Sequence, residues 1–151
     1  GAGRIGSRIG LGADAIAFEG ATDLFAAVMA EHAQRAVGCV LVDEAQFLSA
    51  AQVDQLAALA DKANIPVLAY GLRTDFRGEL FEGAARLLAI ADSLTELKSI
   101  CPCGRKATMN LRVDAAGNAV REGAQTEIGG NDRYVALCRR HFTEAMEGAA
   151  G

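Results

Sequence analysis

Two close pairs of metal-type side chains, Cys101-Pro102-Cys103-Gly104 and Cys138-Arg139-Arg140-His141, constrain the last third of this 151-residue chain more than any other feature. They are separated by 34 residues. A tetrahedral zinc takes four soft or borderline ligands, and two pairs drawn from distant parts of a chain let one ion staple a lobe too small to build its own core. Cys101, Cys103, Cys138 and His141 supply that number, with Gly104 relieving the turn after the tight C-x-C pair. Protein atoms would fill all four positions, so the site is expected to be closed and structural rather than catalytic. Unrelated reduced thiols are the alternative that spacing leaves open, and a disulfide is disfavoured in a reducing compartment. The remaining cysteine, Cys39, sits in an apolar run and reads as a small core hydrophobe. His32 has no partner at metal spacing and reads as a solvated or satisfied side chain.

Upstream of this constellation the pattern alternates. Leu24, Phe25, Val28, Met29 and His32 recur at three- and four-residue spacing behind Thr22 or Asp23, which predicts an amphipathic surface helix over 22–36. Cys39-Val40-Leu41-Val42 has no polar interruption and stops at Asp43-Glu44, as expected of a central parallel strand buried on both faces. Ser49 and Gln52 fit a capping box, and Val53, Leu56, Ala57, Ala60 and Ala63 form the stripe of a helix closing near Asn64. A strand over 66–71, a helix over 79–91 and a short strand over 93–97 continue the series, which is the alternation of parallel crossovers. At Ile100 the texture changes to short strand-like pieces over 107–113 and 119–121 around a turn at 114–118. The reading is an α/β core over 1–99 and a small metal-binding lobe over 100–151.

Composition narrows the function classes. With 51% hydrophobic and 23% charged residues, bulk disorder is excluded. A formal charge of −4 argues against a partner held by phosphate-backbone neutralisation, so nucleic acid is not expected. No stretch is long and apolar enough for a membrane span, and no basic segment leads into an apolar one as in a secretory signal, so a cytoplasmic, membrane-free protein is expected. Gly1, Gly3 and Gly6 fit G-x-G-x-x-G formally, but no strand precedes them, and the segment reads as a flexible glycine-rich loop. A chain starting at Gly1 rather than Met is expected to be an internal piece of a longer protein.

Asp43-Glu44 stands where an open α/β sheet binds its ligands, at the carboxyl end of a parallel strand. An Asp there can hold Mg²⁺ and a neighbouring Glu can take a proton from an attacking hydroxyl or water. Strand-terminal acids also cap the following loop, so spacing alone leaves catalysis and capping both open. The usual phosphate cradle, G-x-x-x-x-G-K-[ST], does not occur: of Lys62, Lys98 and Lys106 only Lys98 precedes a Ser, and the glycines are missing.

Several separated stretches resemble one family in order. They are residues 7–11 (SRIGL), 42–47 (VDEAQF), 70–76 (YGLRTDF), 96–98 (ELK), 103–107 (CGRKA) and 128–134 (IGGNDRY). Together they resemble the cellular-type (type II) thymidine kinases, especially the bacterial subgroup, over about residues 5–146. The resemblance implies a P-loop NTPase-like (RecA-like) parallel sheet with helices, joined to a small C-terminal zinc-containing β lobe with a lasso loop. It implies transfer of the γ-phosphate of ATP to the 5′-hydroxyl of thymidine, with Mg²⁺, giving thymidine monophosphate for nucleotide salvage. Carried over, Glu44 is the general base, Asp43 the Mg²⁺-side acid, and Ala45 and Gln46 lie near the nucleotide phosphates. Phe47 and Leu72 line the thymine site, with Phe76 and Phe81 as its aromatic wall, although spacing alone also allows plain core packing for these Phe residues. Backbone groups around Gln125, Glu127 and Gly129 in the lasso loop would bond the base, with Tyr134 nearby and Asn110 near the thymine methyl. Gly129-Gly130 would permit the unusual dihedrals of such a loop.

The departure is at the front, where the family has its first strand, phosphate loop and an early acid that holds the deoxyribose; the resemblance implies an N-terminally truncated member, inactive without that loop. A homotetramer inhibited by thymidine triphosphate is a further implication of the family. A second reading, from another class, is a zinc-stapled, catalytically inactive nucleoside-binding or regulatory module on a kinase-like fold.

Overall fold

The computed structural model describes residues 2–6, 12–125 and 132–148. It divides into two compact units, Gly1–Val40 with Ala51–Leu68, and Leu41–Ala50 with Ala69–Gly151.

In the first unit, β1 (Ala2–Gly6) and β2 (Gly12–Ile16) form an antiparallel pair in register from Ala2↔Ile16 to Gly6↔Gly12. Ala2–Gly6, expected as a glycine-rich loop, is therefore a strand, its backbone groups paired with those of Gly12–Ile16. Helix α1 (Leu24–Gln34) starts behind Asp23, whose carboxylate accepts the Ala26 N–H at 3.0 Å. His32 is satisfied locally, its Nδ1 accepting the Val37 N–H at 2.9 Å. Helix α2 (Ala50–Ala63) buries Val53, Leu56 and Leu59, and Leu24 and Ile65 are buried in the same unit. Gln52 and Gln55 extend the packing with polar ties: the Gln52 amide donates to the carbonyls of Glu19 and Thr22, and Gln55 accepts the Leu24 N–H. The helix ends as its sequence predicts. Asn64 turns left-handed at φ 55° and the Ile65 N–H reaches back to the Leu59 carbonyl, which closes the helix through an αL residue.

Strands β3 (Val40–Val42) and β4 (Val67–Ala69) pair, and α2 lies between them in the chain. The Val40 N–H donates to Pro66 O and the Tyr70 N–H to Val42 O, an advance along both strands that makes the pair parallel. Burial on both faces is not realised. Leu41 is 68% exposed, and Cys39 lies outside the strand and is exposed rather than in the core. An uninterrupted apolar run states only that both faces can be buried; among the described residues no layer covers the Leu41 face. The described strands form three two-stranded sheets, of which β3–β4 is the parallel one.

In the second unit, a 3-10 turn (Ala45–Phe47) follows β3, and helix α3 (Glu82–Ile90) packs on it. A Cβ on Gly83 would lie 2.6 Å from Leu48 O and 2.7 Å from Ala45 O, so the helix approaches the turn as only glycine allows. The helix starts three residues later than its apolar spacing predicts. Residues 79–81 instead close a loop, through the Thr74↔Leu80 bridge and the Phe81 N–H to Arg73 O bond, with Gly78 at φ +81°. The expected strand over 93–97 does not form. Residues 91–100 are exposed, and Leu94 and Leu97 stand three apart, a spacing that lines no single face of a strand.

The lobe is built on β5 (Met109–Val113), antiparallel to β6 (Arg133–Leu137), with helix α4 (Arg139–Gly148) packed on both. Its core is Cys101, Ala107, Leu111, Val113, Leu137, Cys138 and Phe142. The turn after β5 is where the sequence puts it: Asp114 accepts the N–H groups of Ala116 and Asn118, and Gly117 takes φ +86°. Residues 119–121 contribute a single bridge, Val113↔Ala119, and no strand. The sequence pattern predicts neither β6 nor α4, although Phe142, Ala145 and Met146 carry helical spacing.

Candidate active site and metal centre

The four metal-type side chains converge. The ligand atoms of Cys101, Cys103, Cys138 and His141 all lie within 4.8 Å of one another. His141 Nδ1 is 3.4 Å from the sulfurs of both Cys101 and Cys138, and Cys103 Sγ is 3.9 Å from Cys138 Sγ. Zinc–sulfur bonds of about 2.3 Å at tetrahedral angles give edges of about 3.8 Å between ligands, so these separations fit one such ion. The first pair sits on a tight turn in which the Gly104 N–H bonds Cys101 O and Gly104 takes φ +87°. The second pair straddles the start of α4, placing Cys138 and His141 on one side of its first turn.

Electrostatics prepare the cluster for a cation. The backbone N–H groups of Cys103 and Cys138, helped by His141, pull the buried Cys101 thiol from 9.0 down to about 6. For Cys103 the backbone N–H of Arg105 pulls the other way, but desolvation and the neighbouring thiols of Cys101 and Cys138 prevail and raise it. Crowded thiols that resist joint ionisation are what a dication relieves. With Nδ1 turned to the sulfurs, His141 Nε2 faces Glu144 Oε2 at 3.9 Å.

The strand-end acids form a second arrangement. Glu44, just after β3, is held in the left-handed region at φ 52°, ψ 40°, a conformation that costs a non-glycine residue about 1 kcal/mol or more. Asp43 accepts the Glu44 N–H at 2.9 Å, and both acids are exposed. Gln46 is the buried strut beneath them: its amide nitrogen donates to Glu44 Oε2 and its amide oxygen accepts the Leu72 N–H at 3.1 Å. The buried Ala45 adds an N–H to Tyr70 O bond. Gly71 makes room for this strut, since a Cβ there would stand 2.5 Å from Gln46 Oε1 and 2.9 Å from Gln46 N.

The remaining described residues singled out in sequence lie in the same unit. Phe47 is 45% exposed and meets the buried Phe81 edge-on, with ring centroids 5.7 Å apart. Leu72 is exposed. Phe76 is 1% exposed, and the Arg112 guanidinium lies 4.0 Å over its ring. Arg112 in turn donates through Nε and Nη2 to the Tyr134 hydroxyl, at 3.1 and 2.8 Å. Asn110 is half-buried on β5, opposite Ala136. The Gln125 amide donates to Asp75 Oδ2 at 3.0 Å and to Leu80 O at 3.3 Å. Glu127 and Gly129 lie outside the described residues. Sequence reasoning missed Asp75 and Arg112, two buried charged residues. The available signals were an Arg between Leu111 and Val113 on a strand, and an Asp two residues before Arg77 in a tight turn.

Comparison with known proteins places nearly the whole chain in one family. Residues 1–142 match the family model described as thymidine kinase. The chain is 72% identical over 142 residues to the thymidine kinase of Novosphingobium aromaticivorans, covering 94% of this chain and 74% of that protein. It is 62% identical to the thymidine kinase of Idiomarina loihiensis over 97% of this chain and 76% of that protein. It is 56% identical to that of Escherichia coli O157:H7 over 97% of this chain and 72% of the relative. Among the described residues no helix is long and apolar enough to cross a membrane. A match over nearly its whole length, at identities far above those at which folds diverge, means that this chain belongs to the thymidine kinase family.

Proposed function

We propose that the chain is the thymidine-binding and base-supplying part of an ATP-dependent thymidine kinase, with Glu44 as the general base. The carrying observation is the Gln46 strut, which fixes the Glu44 carboxylate against the loop after β4. Glu44 takes the proton of the thymidine 5′-hydroxyl as that oxygen bonds to the γ-phosphorus of ATP and the bond to the ADP oxygen breaks. Positioning and charge stabilisation carry most of such a transfer, which suits an acid held by a rigid strut. Asp43 would stand on the Mg²⁺ side, with Ala45 and Gln46 beside the phosphates, and Mg²⁺ supplies neutralisation of the phosphate charge. Phe47, Leu72 and Tyr134 offer apolar and aromatic surface for a base, with Phe76 and Phe81 as buried supports and Asn110 beside the methyl position. Backbone groups at Gln125, Glu127 and Gly129 would bond the thymine edge. Zinc at Cys101, Cys103, Cys138 and His141 would staple the lobe 100–151 to serve a RecA-like kinase core in 1–99. A cytoplasmic homotetramer under thymidine triphosphate feedback completes the proposal.

A second reading is a zinc-stapled nucleoside-binding module without turnover, which the closed Cys101–Cys103–Cys138–His141 cluster would equally serve. Thymidine phosphorylation by ATP and Mg²⁺, assayed side by side on this chain and on a form extended upstream, separates the two. Turnover in either form supports the kinase. Thymidine binding with no turnover in both supports the binding module.

A further inference from the structure

We infer that Asp75 and Arg112 are positioning residues for the nucleoside side of the site: Asp75 holds Gln125, and Arg112 clamps Phe76 to Tyr134. The inference rests on the reading above that Phe76, Gln125 and Tyr134 serve thymidine, and it adds what holds them.

Asp75 has a side chain with no exposed surface. Its Oδ1 accepts the N–H groups of Arg77 at 2.8 Å and Glu79 at 3.0 Å, which by itself completes the turn over residues 75–79. Its Oδ2 does something the turn does not require: it accepts the Gln125 amide, fifty positions away in the chain. The Arg77 guanidinium, 3.9 Å away, is beyond hydrogen-bond reach of that oxygen. Burying a carboxylate costs several kcal/mol unless its lone pairs are met, so an asparagine would serve the turn as well at lower cost. Retaining the charge makes sense where a distant donor has to be gripped firmly, because hydrogen bonds to an ionised acceptor are about twice as strong as neutral ones.

Arg112 poses the same question from the neighbouring strand. It is 1% exposed, between Leu111 and Val113 of the lobe core, where an aliphatic residue would pack without a desolvation cost. Its planar guanidinium covers the Phe76 face while its edge donates twice to the Tyr134 hydroxyl. A lysine cannot stack and fork in this way. Adjacent residues Asp75 and Phe76 thereby become one anchor, tied to Gln125 by a carboxylate and to Tyr134 through Arg112. Both ties converge on side chains of the proposed nucleoside site. Their effect should fall on nucleoside affinity and leave the chemistry and the ATP side alone.

The test is a reciprocal exchange read on thymidine KM, ATP KM and kcat in the form that turns over, with thymidine Kd by calorimetry as a second readout. Gln125→Glu sets one carboxylate against another at a half-buried position that tolerates the change. It should raise thymidine KM and Kd about tenfold, with ATP KM and kcat held within about twofold. Adding Asp75→Asn restores a donor–acceptor pair and should recover most of that loss. Arg112→Met and Tyr134→Phe should each raise thymidine KM, and the double variant should cost less than the two together, as expected of partners in one contact. An unchanged thymidine KM in Gln125→Glu, no recovery on adding Asp75→Asn, or an equal rise in ATP KM would overturn the inference. Phe47→Ala and Tyr134→Ala separate the two levels of failure. If they weaken thymidine binding while the anchor variants do not, only the anchoring is wrong; if they also leave it unchanged, the nucleoside reading fails and the anchoring with it.

Discussion

The metal quartet and the strand-end acids share one unit of the molecule but are complete to different degrees. The quartet is self-contained: four ligand atoms from two short local pairs lie within one coordination sphere, supported by turns that each pair makes for itself. The acids are open. Asp43 and Glu44 project from the end of β3, and what organises them comes from elsewhere in sequence, through Gln46, Leu72 and the room left by Gly71. A closed structural site needs its ligands and nothing more, whereas a site that must admit two substrates keeps its reactive groups exposed and spends its buried contacts on the struts beneath them.

The largest expected effect separates the two sites by removing the metal. One equivalent of zinc per chain is expected, and structural zinc contributes on the order of 10 kcal/mol or more to lobes of this kind. Chelation or Cys138→Ala should abolish amide-exchange protection over β5, β6 and α4 while α1 and α2 keep theirs. Protection that survives in the lobe, or metal analysis that finds no zinc, would remove the staple. The next effect falls on the acids alone. Glu44→Gln should lower kcat by about 10² to 10⁴ while leaving thymidine affinity and zinc content essentially unchanged, and retained turnover would withdraw the base assignment.

A smaller change tests the support under the acids. Gly83→Ala puts a Cβ against the carbonyl oxygens of Leu48 and Ala45 and should cost about 1 to 3 kcal/mol in urea unfolding, with reduced turnover and intact zinc. If the variant is as stable as the parent, α3 does not brace the turn that carries Glu44.

How far each region could be read from the chain follows from the range of its interactions. Asp23, Asn64 and the Asp114–Asn118 turn behave as their local chemistry predicts, because caps and tight turns are settled within a few residues. The quartet was legible because thiols and imidazole at close spacing have few other uses together. Periodicity misled where burial depends on a neighbouring layer. Leu41 and Cys39 are as apolar as a central strand requires and yet exposed, and the 93–97 segment has no partner strand among the described residues. The antiparallel pairing of Ala2–Gly6 with Gly12–Ile16 had no period-two apolar pattern in the sequence to announce it.

The sequence by itself determined the family, the metal-type ligand set and the acid that stands at the end of β3, since each rests on residue identity at fixed short spacing. Only the tertiary structure decided that Phe76 lies beneath Arg112 and not at an open wall, that Gln46 spans Glu44 and Leu72, and that Asp75 reaches Gln125. Those contacts join residues tens of positions apart. Their partners are fixed by how β-strands, turns and helices pack around one buried charge or one aromatic face, and that packing is a property of the folded chain as a whole.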